Sequence, residues 1–101
     1  MNILELVTFR LADGINEADF LEVNENLNNW VKEQPGFAYR ALAKAEDGSW
    51  TDSVYWSDLE NAKAAQAAFG EQPELMPMMA MIAPDSVQVT HQTIRVKVAG
   101  N

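Results

Sequence analysis

The spacing of apolar residues along this chain switches repeatedly between two periods, and the order of the switches is the tightest constraint on its fold. Alternate apolar residues mark strands, and a repeat of about 3.6 marks helices. Asn2–Leu11 alternates: Ile3, Val7, Phe9 and Leu11 share one parity with Glu5 among them, while Leu4 and Leu6 hold the other. Apolar residues on both parities predict a strand covered on both sides, and so central in its sheet. Ala12-Asp13-Gly14 breaks that pattern, and Asn16 is a good helix N-cap with acidic residues in the turn that follows. Phe20, Val23, Leu27, Trp30 and Val31 then mark the buried stripe of a helix, with Glu22, Glu25 and Asn28 off it and facing water. Gln34-Pro35-Gly36 ends the helix, since proline disfavours a helical residue before it and supplies no amide donor.

A second strand is predicted from Phe37 to Ala45 and a third over Trp50–Trp56, joined by Glu46-Asp47-Gly48-Ser49, a strong hairpin signal. Ser57-Asp58-Leu59-Glu60 reads as a capping box opening an alanine-rich helix from Ala62 to Phe69, with Gly70 as its C-terminal cap. Its small side chains allow close approach to a sheet. The methionine-rich stretch from Pro73 to Pro84 reads as a short helix or an ordered loop, and Ser86–Val98 as a long closing strand. The order is β-α-β-β-α-β. Two right-handed βαβ crossovers interleave into one antiparallel sheet of order 4-1-3-2 with both helices on one face, an α+β, ferredoxin-like architecture. The other face, apolar as well, requires a cover, and a second copy of the chain is the simplest one.

With 101 residues the chain suits one domain, taken as residues 1–98 with a short tail at 99–101. Fifteen acidic against 7 basic side chains give a net charge of −8, which repels phosphate backbones and anionic bilayers. Neither nucleic acid nor membrane is expected as a partner. No apolar run approaches the roughly 18 residues of a membrane span, and no secretory signal pattern is recognised. With no cysteine there is no disulfide framework or thiol nucleophile, and a cytoplasmic location is expected.

The segment Gln34-Pro35-Gly36-Phe37, the Asp47-Gly48 turn and Tyr55-Trp56-Ser57 leading into Ala62 resemble the dimeric α/β-barrel superfamily. The likeness is greatest to proteins of the antibiotic biosynthesis monooxygenase (ABM) domain, and it extends from Met1 to Val96. The resemblance implies a homodimer whose two sheets pack into a shared barrel. It also implies a range of activities, from cofactor-independent oxygenation of polyketide quinols to haem degradation, isomerisation and stress roles. The haem-degrading branch carries a Trp inside the second helix. Here that stretch reads Ala64-Ala65-Gln66-Ala67, which points away from haem.

The residues suggest one chemical constellation. Glu5, Asp52 and His91 fall on three strands that the predicted order places side by side. Glu5 stands among apolar neighbours, where an ionised carboxylate is costly unless paired. Asp52 sits mid-strand against its propensity, and His91 is the only histidine. His91 is the candidate base, with Asp52 or Glu5 orienting it. Arg40 is positioned to pair with Asp52 or to hold a substrate anion. The same residues also fit an ordinary cross-strand ion pair. Trp56, Tyr55 and Met79 are candidate substrate contacts, although Tyr55 and Trp56 point to opposite faces of one strand. Trp30 fits the helical stripe as core, and Met76, Met78, Met79 and Met81 suit either a pliable lining or a gap-filling core.

One histidine without cysteine does not make a usual zinc site, and there is no glycine-rich phosphate loop or serine-nucleophile motif. No cofactor is expected. The function read from the sequence is a cofactor-independent monooxygenase acting on a small aromatic or polyketide-type compound. The alternative is a non-catalytic ligand-binding or stress module.

Overall fold

The computed structural model describes residues 1–100, so the last residue of the expected tail, Asn101, lies outside the described residues. In chain order the elements are β1 (Ile3–Phe9), α1 (Glu17–Val31), β2 (Phe37–Lys44), β3 (Trp50–Trp56), α2 (Leu59–Phe69), α3 (Met76–Ala80) and β4 (Gln88–Thr93). The strands form one antiparallel sheet in the order β2-β3-β1-β4, the predicted order read from its other edge. The helices lie on one face. The architecture is ferredoxin-like, with β1 and β3 central.

Local chemistry sets the boundaries. Asn16 caps α1, its Oδ1 accepting from the amides of Ala18 (2.8 Å) and Asp19 (3.4 Å). The cap of α2 lies one residue later than the capping-box reading placed it. Asp58 is extended and its Oδ1 accepts from the Asn61 amide at 2.8 Å, while the Ser57 amide donates to the Gly36 carbonyl. Gly36 closes the α1–β2 turn with φ +80°, and a Cβ there would stand 2.5 Å from Asn61 Nδ2 and 2.6 Å from Ser57 Oγ. Only glycine meets both demands.

On the helix-facing side β1 buries Ile3, Glu5 and Phe9, and β3 buries Trp50, Asp52, Val54 and Trp56. α1 answers with Phe20, Leu27 and Val31, α2 with Ala62 and Ala65, and the chain beyond with Leu75 and Met78. Phe20 has no exposure and meets Trp50 (5.2 Å between centroids) and Phe9 (5.8 Å) edge-on, while Phe9 and Trp50 stack. The methionine-rich stretch forms α3 between two short 3-10 turns. The Ala12 amide donates to the Met81 carbonyl and the Ala83 amide to the Arg10 carbonyl, tying this stretch to the end of β1.

The closing strand is shorter than predicted. Thr93 pairs with Ile3 and the Ile94 amide donates to the Asn2 carbonyl, after which β1 offers no further partner. Val96 and Val98 are therefore exposed despite their alternating pattern. On the face away from the helices, Leu4, Leu6 and Tyr55 are half-buried, and Tyr39, 56% exposed, rests against Tyr55.

Candidate functional site

Between the helices and the sheet lies a cavity of about 490 Å³, inside the range of roughly 300–1,000 Å³ usual for small-molecule sites. It exists because α2 presents alanine there. Ala65, 6% exposed, borders the space that a longer side chain would fill. Trp30, Phe69 and Trp56 supply aromatic wall, and Trp30 meets Phe69 edge-on at 6.1 Å. The deep lining is buried, whereas Gln66, Met79, Val87 and Val89 are exposed and form the mouth beside β4.

Two polar clusters interrupt this apolar lining. In the first, Arg40 of β2 donates to Asp52 of β3 from Nε (3.0 Å to Oδ1, 3.2 Å to Oδ2) and from Nη2 (2.8 Å to Oδ2). Its Nη1 donates to Asn24 Oδ1 and Asn28 Oδ1 of α1, both at 2.7 Å. The two charged side chains are 7% and 12% exposed, so the pair is buried and bidentate. Arg40 thus ties α1 to the sheet.

In the second, Glu5 of β1 lies directly opposite His91 of β4, and Nε2 of the imidazole stands 2.9 Å from Glu5 Oε2. Trp56 Nε1 donates to Glu5 Oε1 at a longer 3.4 Å. An ionised Glu5 requires the imidazole proton on Nε2, since a carboxylate only accepts. Glu5 lines the cavity and His91 stands behind it, outside the lining. Among the described residues no group of three His, Asp or Glu side chains is arranged to hold a metal ion.

The sequence matches no protein-family model and no curated protein. Solved structures do match. A single-residue variant of SnoaB, a cofactor-independent oxygenase from Streptomyces nogalater, superposes with a TM-score of 0.78 at 20% identity over 98% of each chain. A monooxygenase of Streptomyces coelicolor, solved with nanaomycin D, superposes with a TM-score of 0.75 at 16% identity, covering 99% of this chain and 93% of its own. A dimeric ferredoxin-like protein from an uncultured marine organism gives 0.73 at 7% identity over 99% and 93%. The chain has an ABM-like fold.

On that ABM-like frame the residues singled out in the sequence separate into three groups. Glu5 and His91 come together; Asp52 does not join them, because Arg40 occupies both of its oxygens. The orienting role offered to Asp52 or Glu5 therefore has only Glu5 within reach of His91. Glu5 lines the cavity, whereas His91 stands outside its lining. Arg40, Trp56 and Met79 line the cavity. Tyr55 does not: its partner positions, Leu4 and Tyr39, belong to the face away from the helices. Two residues were missed. Asn28, expected in water, is half-buried on Arg40. Asn24, 5% exposed, also lines the cavity, and its signal was a polar residue four positions after Phe20 and three before Leu27, on the buried stripe.

Proposed function

We propose that the chain is a cofactor-independent oxygenase of small aromatic or polyketide-type compounds, working in the cavity between helices and sheet. The observation that carries this reading is Glu5, a buried carboxylate set in an apolar lining and backed by the His91 imidazole at 2.9 Å. Such a group is suited to take a proton from a phenol or enol whose ring lies between aromatic walls. The ring anion then transfers electrons to dioxygen, and bond formation between oxygen and a ring carbon that began as CH₂ gives a peroxide anion, which takes the proton held by the Glu5–His91 pair to become a hydroperoxide. Loss of water converts the original CH₂ to a carbonyl, with one oxygen atom kept and the other leaving as water. The Glu5–His91 pair takes the remaining proton of that carbon as the O–O bond breaks and gives it to the departing hydroxide. The protein excludes water and orients the ring; the electrons come from the substrate.

The face carrying Leu4, Leu6, Tyr55 and Tyr39 is the second part of the proposal: a second copy covers it and completes a barrel. The dimeric ferredoxin-like protein with the same fold supports this. Sedimentation should give a dimer, with Leu6→Arg sedimenting as a monomer; a wild-type monomer at high micromolar concentration would end the dimer reading.

Anthrone, a tricyclic ketone with an enolic tautomer, tests the activity. The expected result is uptake of one dioxygen per anthrone, with anthraquinone carrying one labelled atom from ¹⁸O₂. A rate equal to that of buffer, across anthrone and simpler naphthols, would leave a binding module in its place.

A further inference from the structure

Asn24 sits where the pattern of α1 calls for a hydrophobic side chain, and it is the one polar interruption of the buried series Phe20, Asn24, Leu27 and Val31. A buried primary amide must satisfy two N–H donors and a carbonyl oxygen. The oxygen is satisfied, since Arg40 Nη1 donates to it at 2.7 Å. Because guanidinium has no acceptor, this contact also fixes which end of the amide faces Arg40. Nδ2 is thereby turned to Met78, whose Sδ lies 3.2 Å away and is its only partner among the described residues. A thioether is a weak acceptor, so a buried amide donor on the cavity wall is under-used.

We propose that Asn24 Nδ2 is the binding donor of the cavity and gives its hydrogen bond to a carbonyl or oxyanion oxygen of the ligand. The inference rests on reading the cavity as a ligand site, but not on the oxygenation chemistry. Asp52 and Arg40 are positioning residues: the bidentate pair holds the guanidinium, and the guanidinium holds the amide. Its charge beside Oδ1 also polarises the amide and strengthens the N–H as a donor. Met78 is a flexible side chain that can yield its place. With Glu5 to accept a hydroxyl and Asn24 to donate to an oxygen, the cavity selects a planar compound carrying both a hydroxyl and a carbonyl.

The test uses two probes of nearly identical shape, 2-acetylnaphthalene and 2-isopropenylnaphthalene, which differ by C=O against C=CH₂. Their dissociation constants are measured by NMR titration for wild type, Asn24→Asp and Asn24→Ala. The ratio of ketone to alkene affinity should fall about tenfold in both variants, the worth of one hydrogen bond. The wild-type Asn24 side-chain amide signal should move with the ketone and not with the alkene, a readout independent of variant folding. Met78→Leu should keep the preference for ketone. If both probes bind wild type but the ratio holds within twofold in the variants, or the amide signal ignores the ketone, the role of Asn24 is overturned and the cavity reading stands. If neither probe binds wild type, both are overturned.

Discussion

Replacing Arg40 by leucine removes the partner of a buried charge without enlarging the core. The Arg40 side chain is 7% exposed and Asp52 12% exposed, and three hydrogen bonds join them. Arg40→Leu strands that carboxylate and vacates the two asparagine acceptors on α1. Breaking a buried pair from one side costs about 3–5 kcal/mol, chiefly because the remaining charge is uncompensated. Asn28, half-buried, recovers a water and adds little. The expected loss is therefore about 4 kcal/mol, a large share of the roughly 5–15 kcal/mol a domain has. Arg40→Leu/Asp52→Leu removes both charges and should recover all but about 1–2 kcal/mol of that loss, since apolar replacements of buried pairs are often tolerated. Urea unfolding at one fixed protein concentration measures both, the concentration being held because the proposed dimer would make stability depend on it. A single variant losing less than about 1 kcal/mol, as exposed pairs do, would mean that the stranded carboxylate is not effectively buried. So would a double variant no better than the single.

Three further outcomes follow from particular contacts. Gly36→Ala should cost about 2 kcal/mol or more in the same assay, because it meets both a positive φ and Asn61 and Ser57 atoms within 2.8 Å; a neutral result would contradict that turn geometry. Ala65→Leu should fill the cavity, lowering the affinity for 2-acetylnaphthalene at least tenfold while changing stability by no more than about 1 kcal/mol; unchanged binding would place the probe elsewhere. The Asp47 carboxyl is held below its ordinary value, first by the Ser49 hydroxyl and then by the Ser49 amide. A depressed folded-state value gives stability that is present above the unfolded value and lost as pH falls through the folded one. Asp47→Asn should therefore flatten the acid side of the stability profile below about pH 4, and an unaltered profile would count against it.

The fold was legible because its determinants are local and periodic. The Asn16 cap, the Phe20–Val31 stripe, the Asp47-Gly48 hairpin and the two-sided apolar β1 each point to one element, and crossover handedness then leaves few topologies. Two boundaries were not legible, for physical reasons. Ile94 to Val98 has a strand pattern, but strand length depends on a partner, and β1 runs out at its start. At α2, Ser57 and Asp58 both have capping side chains, and the extended backbone at Asp58 decides between them. Within the site, cross-strand register put Glu5 opposite His91, which strand order alone suggested but did not fix. The pairing of Asp52 with Arg40 was one of the two roles the sequence offered Arg40, and side-chain reach from the neighbouring strand realises it. Asn24 could have been found from its position on the stripe, whereas its contact with Arg40 and Met78 needed the packed structure.

In the proposed reaction Glu5, backed by His91, takes a proton from a ligand hydroxyl inside the cavity. Anaerobic titration of the protein with anthrone at neutral pH tests this most directly, because without dioxygen the ring anion accumulates and its visible absorption can be read. This band should appear as anthrone binds the wild-type protein and be lost in Glu5→Gln while anthrone still binds. Anthrone bound without the band in wild type, or with the same band in Glu5→Gln, would contradict it.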